Sequence, residues 1–95
     1  MLVCQTPLRI SFFGGGTDIP EYYITAPDGG QVISAAIDKS TYVILNRLYR
    51  DQFVCNYTKK ESVSYVEEIE HEYIREVLRH FNVNPGLEIT TLADI

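Results

Sequence analysis

The 95 residues predict an α+β fold, a mixed or antiparallel sheet with one main helix. Three observations carry that reading. The first 58 residues hold segments rich in β-branched and aromatic side chains, broken by polar or glycine-rich turns. From Glu67 to Phe81 the apolar period changes from two to about 3.6, with Ile74, Val77, Leu78 and Phe81 at i, i+3, i+4 and i+7. After Asn84-Pro85-Gly86 a strand pattern returns over Leu87 to Leu92, and strands, then a helix, then a strand suit an α+β layer.

Leu2 to Gln5 and Leu8 to Phe13 read as two short strands interrupted by Pro7, which has no N–H for a sheet ladder. Arg9 and Ser11 alternate with Leu8, Ile10 and Phe12, and this points Arg9 away from the main core. Asp18 to Tyr23 opens a short helix or turn, with Asp18 in capping range and Pro20 near the first helical position. Ala26 to Gly30 is a turn by composition. Gln31 to Ile37 and Thr41 to Tyr49, separated by Asp38-Lys39-Ser40, predict a β-hairpin, and Phe53 to Thr58 a further strand. Neither an internal repeat nor a linker divides the chain, which reads as one unit.

Composition excludes several classes of function. Hydrophobic residues at 45% and charged residues at 22% describe an ordered globular chain. A net charge of −5 argues against nucleic acid, because phosphate-backbone binding needs clustered Lys and Arg. Cys4 and Cys55 lie too far apart for a redox or zinc motif and read as two reduced, buried thiols; no metal site is expected. His71 and His80 fall on opposite faces of one helix and cannot share a metal. The acidic residues from Glu67 to Glu76 read as a solvated helix flank. Without a signal peptide or a membrane-length apolar run, a cytoplasmic protein with no membrane partner is expected.

The candidate site is the stretch PLRISFFGGGTD at residues 7 to 18. Three glycines in a row give up packing, so either a tight bend or close approach of a ligand explains Gly14, Gly15 and Gly16. Asp18 is either a helix cap or a carboxylate that accepts hydrogen bonds from a polyol. Arg9 is either a surface cation or a guanidinium that orients a carboxylate or phosphate. Of seven tyrosines, Tyr22 and Tyr23 stand beside the glycines and are candidates for ligand contact.

Taken whole, TPLRISFFGGGTDIPEYY resembles the first motif of the GHMP small-molecule kinases, nearest to the D-glycero-D-manno-heptose phosphate kinases. The segments GGQVISAAIDKSTYVIL, IEHEYIREVLRHF and GLEITTLADI also resemble that branch, so the likeness spans nearly the whole chain. Against the corresponding galactokinase motif the chain keeps Pro7, Arg9, Gly14, Thr17 and Asp18, and has Gly15 and Gly16 where galactokinase has Glu and His. The resemblance implies a partial ribosomal protein S5 domain 2-like fold. It implies substrate contacts from Gly14, Gly15, Gly16, Thr17, Asp18 and Tyr22, with Arg9 steadying the catalytic carboxylate. The bend at Gly14 to Gly16 would be the open wall of a sugar cavity bordered by Arg9 and Asp18.

The implied reaction is phosphoryl transfer from ATP with Mg²⁺ to a sugar or sugar phosphate. The family's ATP-phosphate loop follows a strand like LEITTLADI, and the sequence stops at Ile95. The chain is thus expected to be the N-terminal portion of the kinase domain, residues 1 to 95, binding no cofactor alone. Its expected macromolecular contacts are self-association or a missing C-terminal half. The competing reading is a short, non-catalytic binding or interaction module that pairs with another chain, since absent helices would leave apolar sheet surface exposed.

Overall fold

The computed structural model describes all residues from Met1 to Ile95. It contains strands β1 (Leu2–Phe13), β2 (Ile33–Arg47), β3 (Phe53–Asn56), β4 (Lys60–Val63) and β5 (Leu87–Ala93), with helices α1 (Pro20–Tyr23) and α2 (Glu72–His80). The strands form one sheet in the order β1-β2-β5-β3-β4. β5 runs antiparallel to β2 and parallel to β3, and β3 is antiparallel to β4, so the sheet is mixed as expected.

Two compact units share these strands, one comprising Met1–Thr6 with Thr41–Asp94, the other Pro7–Ser40 with Ile95. The first unit holds the hydrophobic core: Phe53, Cys55 and Ile89 from neighbouring strands, Ile74 and Leu78 from α2, and Ile69 from the segment before it. In β3 and β5 the register sets Cys55 beside Ile89 and Phe53 beside Leu87. Side chains at alternate positions share a face, so these residues meet the Ile74/Leu78 stripe of the helix. The second unit buries no apolar side chain, and Ser40 is its only buried residue.

Several expectations are corrected. Pro7 does not interrupt the first strand: β1 is the outermost strand of the sheet, the position at which proline is tolerated within a strand. Asp38-Lys39-Ser40 is not a hairpin turn but part of the 15-residue β2; it lacks the glycine that would make Asp38 the start of a tight two-residue turn. The strand after Gln52 ends at Asn56, and Lys60–Val63 adds a strand the sequence pattern did not suggest.

The main helix begins at Glu72, not Glu67. Ile69 is drawn into the core in an extended conformation that interrupts the helical path, leaving Val66–Glu68 as a separate 3-10 turn. At the other end Asn82 takes the left-handed φ of +52° that closes the helix. No helix is long and apolar enough to cross a membrane.

Cys55 is buried as expected, but Cys4 is exposed, because it lies on the outermost strand. The native chain should therefore titrate one thiol with Ellman's reagent, and denaturation should release Cys55 as the second. Two fast thiols in the native state would contradict the packing of Cys55.

Candidate sugar-binding turn

The glycine triplet follows β1 directly. Gly14 has φ +83°, and Gly15–Thr17 forms a 3-10 turn in which Thr17 N–H donates to Gly14 O at 3.0 Å and Asp18 N–H to Gly15 O at 3.2 Å. These bonds leave the N–H groups of Gly15 and Gly16, at the start of the turn, outside its own pairing.

The three glycines differ in kind. A Cβ on Gly14 would lie 1.9 Å from the backbone oxygen of Gln31, so this position must be glycine both for its φ and for that crossing. A Cβ on Gly15 would meet only Ser11 Cβ at 3.9 Å, and one on Gly16 would meet nothing within 4 Å. The bend accounts for Gly14; neither crowding nor positive φ accounts for Gly15 and Gly16.

Thr17 holds the turn against the segment behind it. Its single hydroxyl proton is shared between Gly14 O at 2.7 Å and Gln31 O at 2.8 Å, and its Oγ1 accepts from Gln31 N–H at 3.1 Å. Gly30 is part of the same crossing, since a Cβ there would sit 2.3 Å from Thr17 O. Sequence reasoning missed Gly30 and Gln31 as the backing of the turn. The signal was present in Asp28-Gly29-Gly30-Gln31, which reads by composition only as a loop.

Arg9 and Ser11 share one face of β1 by their two-residue spacing. The nearest atom to a Cβ on Gly15 belongs to Ser11, two residues along β1 from Arg9. Arg9, Gly15, Gly16, Asp18 and Tyr22 are exposed, while Gly14 and Thr17 are half-buried. Asp18 caps no helix: α1 starts after Ile19, whose side chain makes no capping bond, with Pro20 in the first turn. No ion pair joins Arg9 to Asp18. Two hollows of the chain are lined by first-unit residues, and neither includes a residue of the turn. The turn is an open surface with a free guanidinium and a free carboxylate, not a closed cavity.

No protein-family model and no curated protein sequence matches the chain. Among solved structures, the D-glycero-D-manno-heptose 1-phosphate kinase from Bacteriodes thetaiotaomicron superimposes with a TM-score of 0.74 at 21% identity, over 99% of this chain and 34% of that one. The fold is a partial GHMP kinase fold. The mevalonate kinase of Methanococcus jannaschii gives a TM-score of 0.68 at 18% identity, over 99% of this chain and 32% of that one. The chain therefore spans about a third of the length of these kinases. Expectation and structure agree on the α+β class, the mixed sheet and the single main helix.

Proposed function

We propose that this chain is the N-terminal, sugar-binding part of an ATP-dependent sugar kinase of the GHMP type, with a heptose phosphate as acceptor. The observation that carries the reading is the contrast within the triplet: Gly14 is demanded by the fold, whereas Gly15 and Gly16 are unconstrained by crowding and leave open space at the end of β1. Bare backbone at such a turn suits a ligand bulkier than a plain hexose and carrying phosphate.

In this reading Asp18 accepts hydrogen bonds from ring hydroxyls, Tyr22 flanks the sugar, and Arg9 steadies the catalytic carboxylate. Thr17 acts indirectly by locking the turn against Gln31. ATP and Mg²⁺ enter through polypeptide beyond these residues and supply the phosphoryl group and its charge neutralisation. The chain by itself turns over no ATP, acts in the cytoplasm, and has no nucleic-acid or membrane partner.

Calorimetric titration of the 95-residue chain with a panel of sugars and sugar phosphates tests this. Gly15→Glu should abolish sugar-phosphate binding, and Asp18→Asn should weaken it by about tenfold or more, the scale of a hydrogen bond to a charged group. Unchanged affinity in both variants, or a wild type that binds no member of the panel, would overturn the assignment.

A further inference from the structure

The long strand β2 has two differently supported halves. Residues 41 to 47 pair with β5, ending at the match of Thr41 with Ala93, whereas residues 33 to 40 have only β1 as a neighbour. The Thr41 hydroxyl reaches Thr6 O at 3.5 Å, and Gly14 crosses Gln31, so β1 runs back along β2 from Thr6 beside Thr41 to Gly14 beside Gln31. The boundary between the two compact units falls at one level on both strands, after Thr6 on β1 and after Ser40 on β2. The second unit is thus built on a two-stranded ribbon, roughly 25 Å long at about 3.3 Å per residue.

A ribbon of two strands resists bending only where something packs on it, since two strands alone are marginally stable and twist more freely than a wide sheet. No apolar side chain of Pro7–Ser40 is buried, and Phe12 and Ile33 are 61% and 63% exposed, so no core stiffens this one. Its far end is tied: Thr17 bonds to Gln31, and the backbones of Gly14 and Gly30 lie against Gln31 and Thr17. At its near end stand Pro7, which brings no N–H to any ladder, and the small Ser40. We propose that Pro7–Ser40 is an arm that swings as one body about a hinge between Thr6 and Pro7 on one strand and between Ser40 and Thr41 on the other. Arg9, the three glycines, Thr17, Asp18 and Tyr22 all belong to it, so the turn keeps its internal geometry while the arm moves. This gives an open turn a way to close on what it binds. The inference rests on the fold and is independent of the sugar reading.

Spin labels on pairs of cysteines test this by double electron–electron resonance. Cys4, exposed and in the first unit, is a natural attachment point, while Cys55 is buried. The distance distribution from Cys4 to Asp28→Cys, which crosses the hinge, should be about twice as wide as in two references that do not cross it. These are Cys4 with Glu72→Cys in the first unit, and Lys39→Cys with Asp28→Cys in the second, the latter carrying Cys4→Ser; all three introduced positions are exposed. Equal widths across and within the units would overturn the proposal. So would a wide distribution inside the second unit, which would mean a loose segment instead of a body. If a labelled variant loses its circular dichroism signal, residual dipolar couplings of the ¹⁵N-labelled wild type take its place. Residues 7 to 40 should then require an alignment tensor of their own, and a single tensor for the whole chain would refute the hinge. Neither measurement contains a sugar, so this inference and the sugar reading fail separately.

Discussion

Gly14→Ala should cost the chain about 3 kcal/mol or more and loosen residues 14 to 31, the left-handed backbone alone accounting for about 1–2 kcal/mol. The remainder comes from the crossing. The new methyl would be driven into the Gln31 carbonyl, a backbone oxygen that cannot rotate away, and relief requires separating the two segments. Separation breaks the bonds between Thr17 and Gln31, the hydroxyl's to Gln31 O and the Gln31 N–H bond to Oγ1, each worth about 1 kcal/mol. Urea unfolding gives the total, and hydrogen exchange at the Gln31 amide, bonded to Thr17, reports the local opening. Gly16→Ala is the control: its φ is not positive and its surroundings are empty, so a change within about 1 kcal/mol, slightly stabilising, is expected. Equal losses for the two substitutions would mean that the Gly14–Gln31 crossing does not exist in solution.

Glu61→Ala should cost about 1 kcal/mol or more, because it removes the acceptor of two N–H donors at the entrance to α2, the part-buried one on His71 among them. The Glu61 carboxylate accepts from Glu70 N–H at 2.7 Å and His71 N–H at 3.2 Å, and from the Tyr57 hydroxyl at 2.6 Å. His71 then continues the path into the helix, its Nδ1 accepting from Ile74 N–H while its ring meets Tyr57 edge-on at 4.6 Å. Burial pulls the Glu61 pKa upward, but the bonds from Tyr57, Glu70 and His71 outweigh it and hold the group below its ordinary 4.5. A depressed carboxylate contributes stability above its unfolded pKa and loses it as pH falls through the folded one. The acid limb below about 4.5 should therefore flatten in Glu61→Gln, which keeps an acceptor but does not titrate.

The alkaline limb carries the opposite sign. The bond to Glu61, then burial, pushes Tyr57 up to about 12, and burial followed by the charge of Glu61 raises Cys55 to about 11. Both groups bind protons more tightly when folded, so stability should fall as pH rises from about 9 toward 12. Denaturation midpoints measured across pH for wild type and Glu61→Gln check both limbs. A midpoint independent of pH at both ends would refute the network.

What the sequence made legible was what local chemistry determines. The 3.6-residue period of Ile74, Val77, Leu78 and Phe81 identified α2, and the Asn84-Pro85-Gly86 break identified β5. The failures all concern context. Pro7 looked like a break because nothing local says that its strand is outermost, and Asp38-Lys39-Ser40 looked like a turn because polarity was read without asking for positive φ. The helix start was placed five residues early because Glu67 to Glu70 suit a helix N-terminus, whereas burial of Ile69 and capture of the next two amides by Glu61 decide otherwise. At the turn, the sequence marked Gly14 to Asp18 but could not divide the triplet into one structural and two unconstrained glycines. That division needs Gln31, 14 residues beyond Thr17.

The place of Pro7 has one more consequence. A 12-residue outer strand that is largely exposed and rich in Leu, Val, Ile and Phe offers a row of free amides to which further strands can add, the geometry by which fibrils template their own growth. A residue with no amide hydrogen within such a row is one of the devices by which an edge strand resists further pairing. Pro7 sits within that edge as the kind of residue that limits strand addition, while the far border, β4, is only four residues long and begins with the charged pair Lys60 and Glu61.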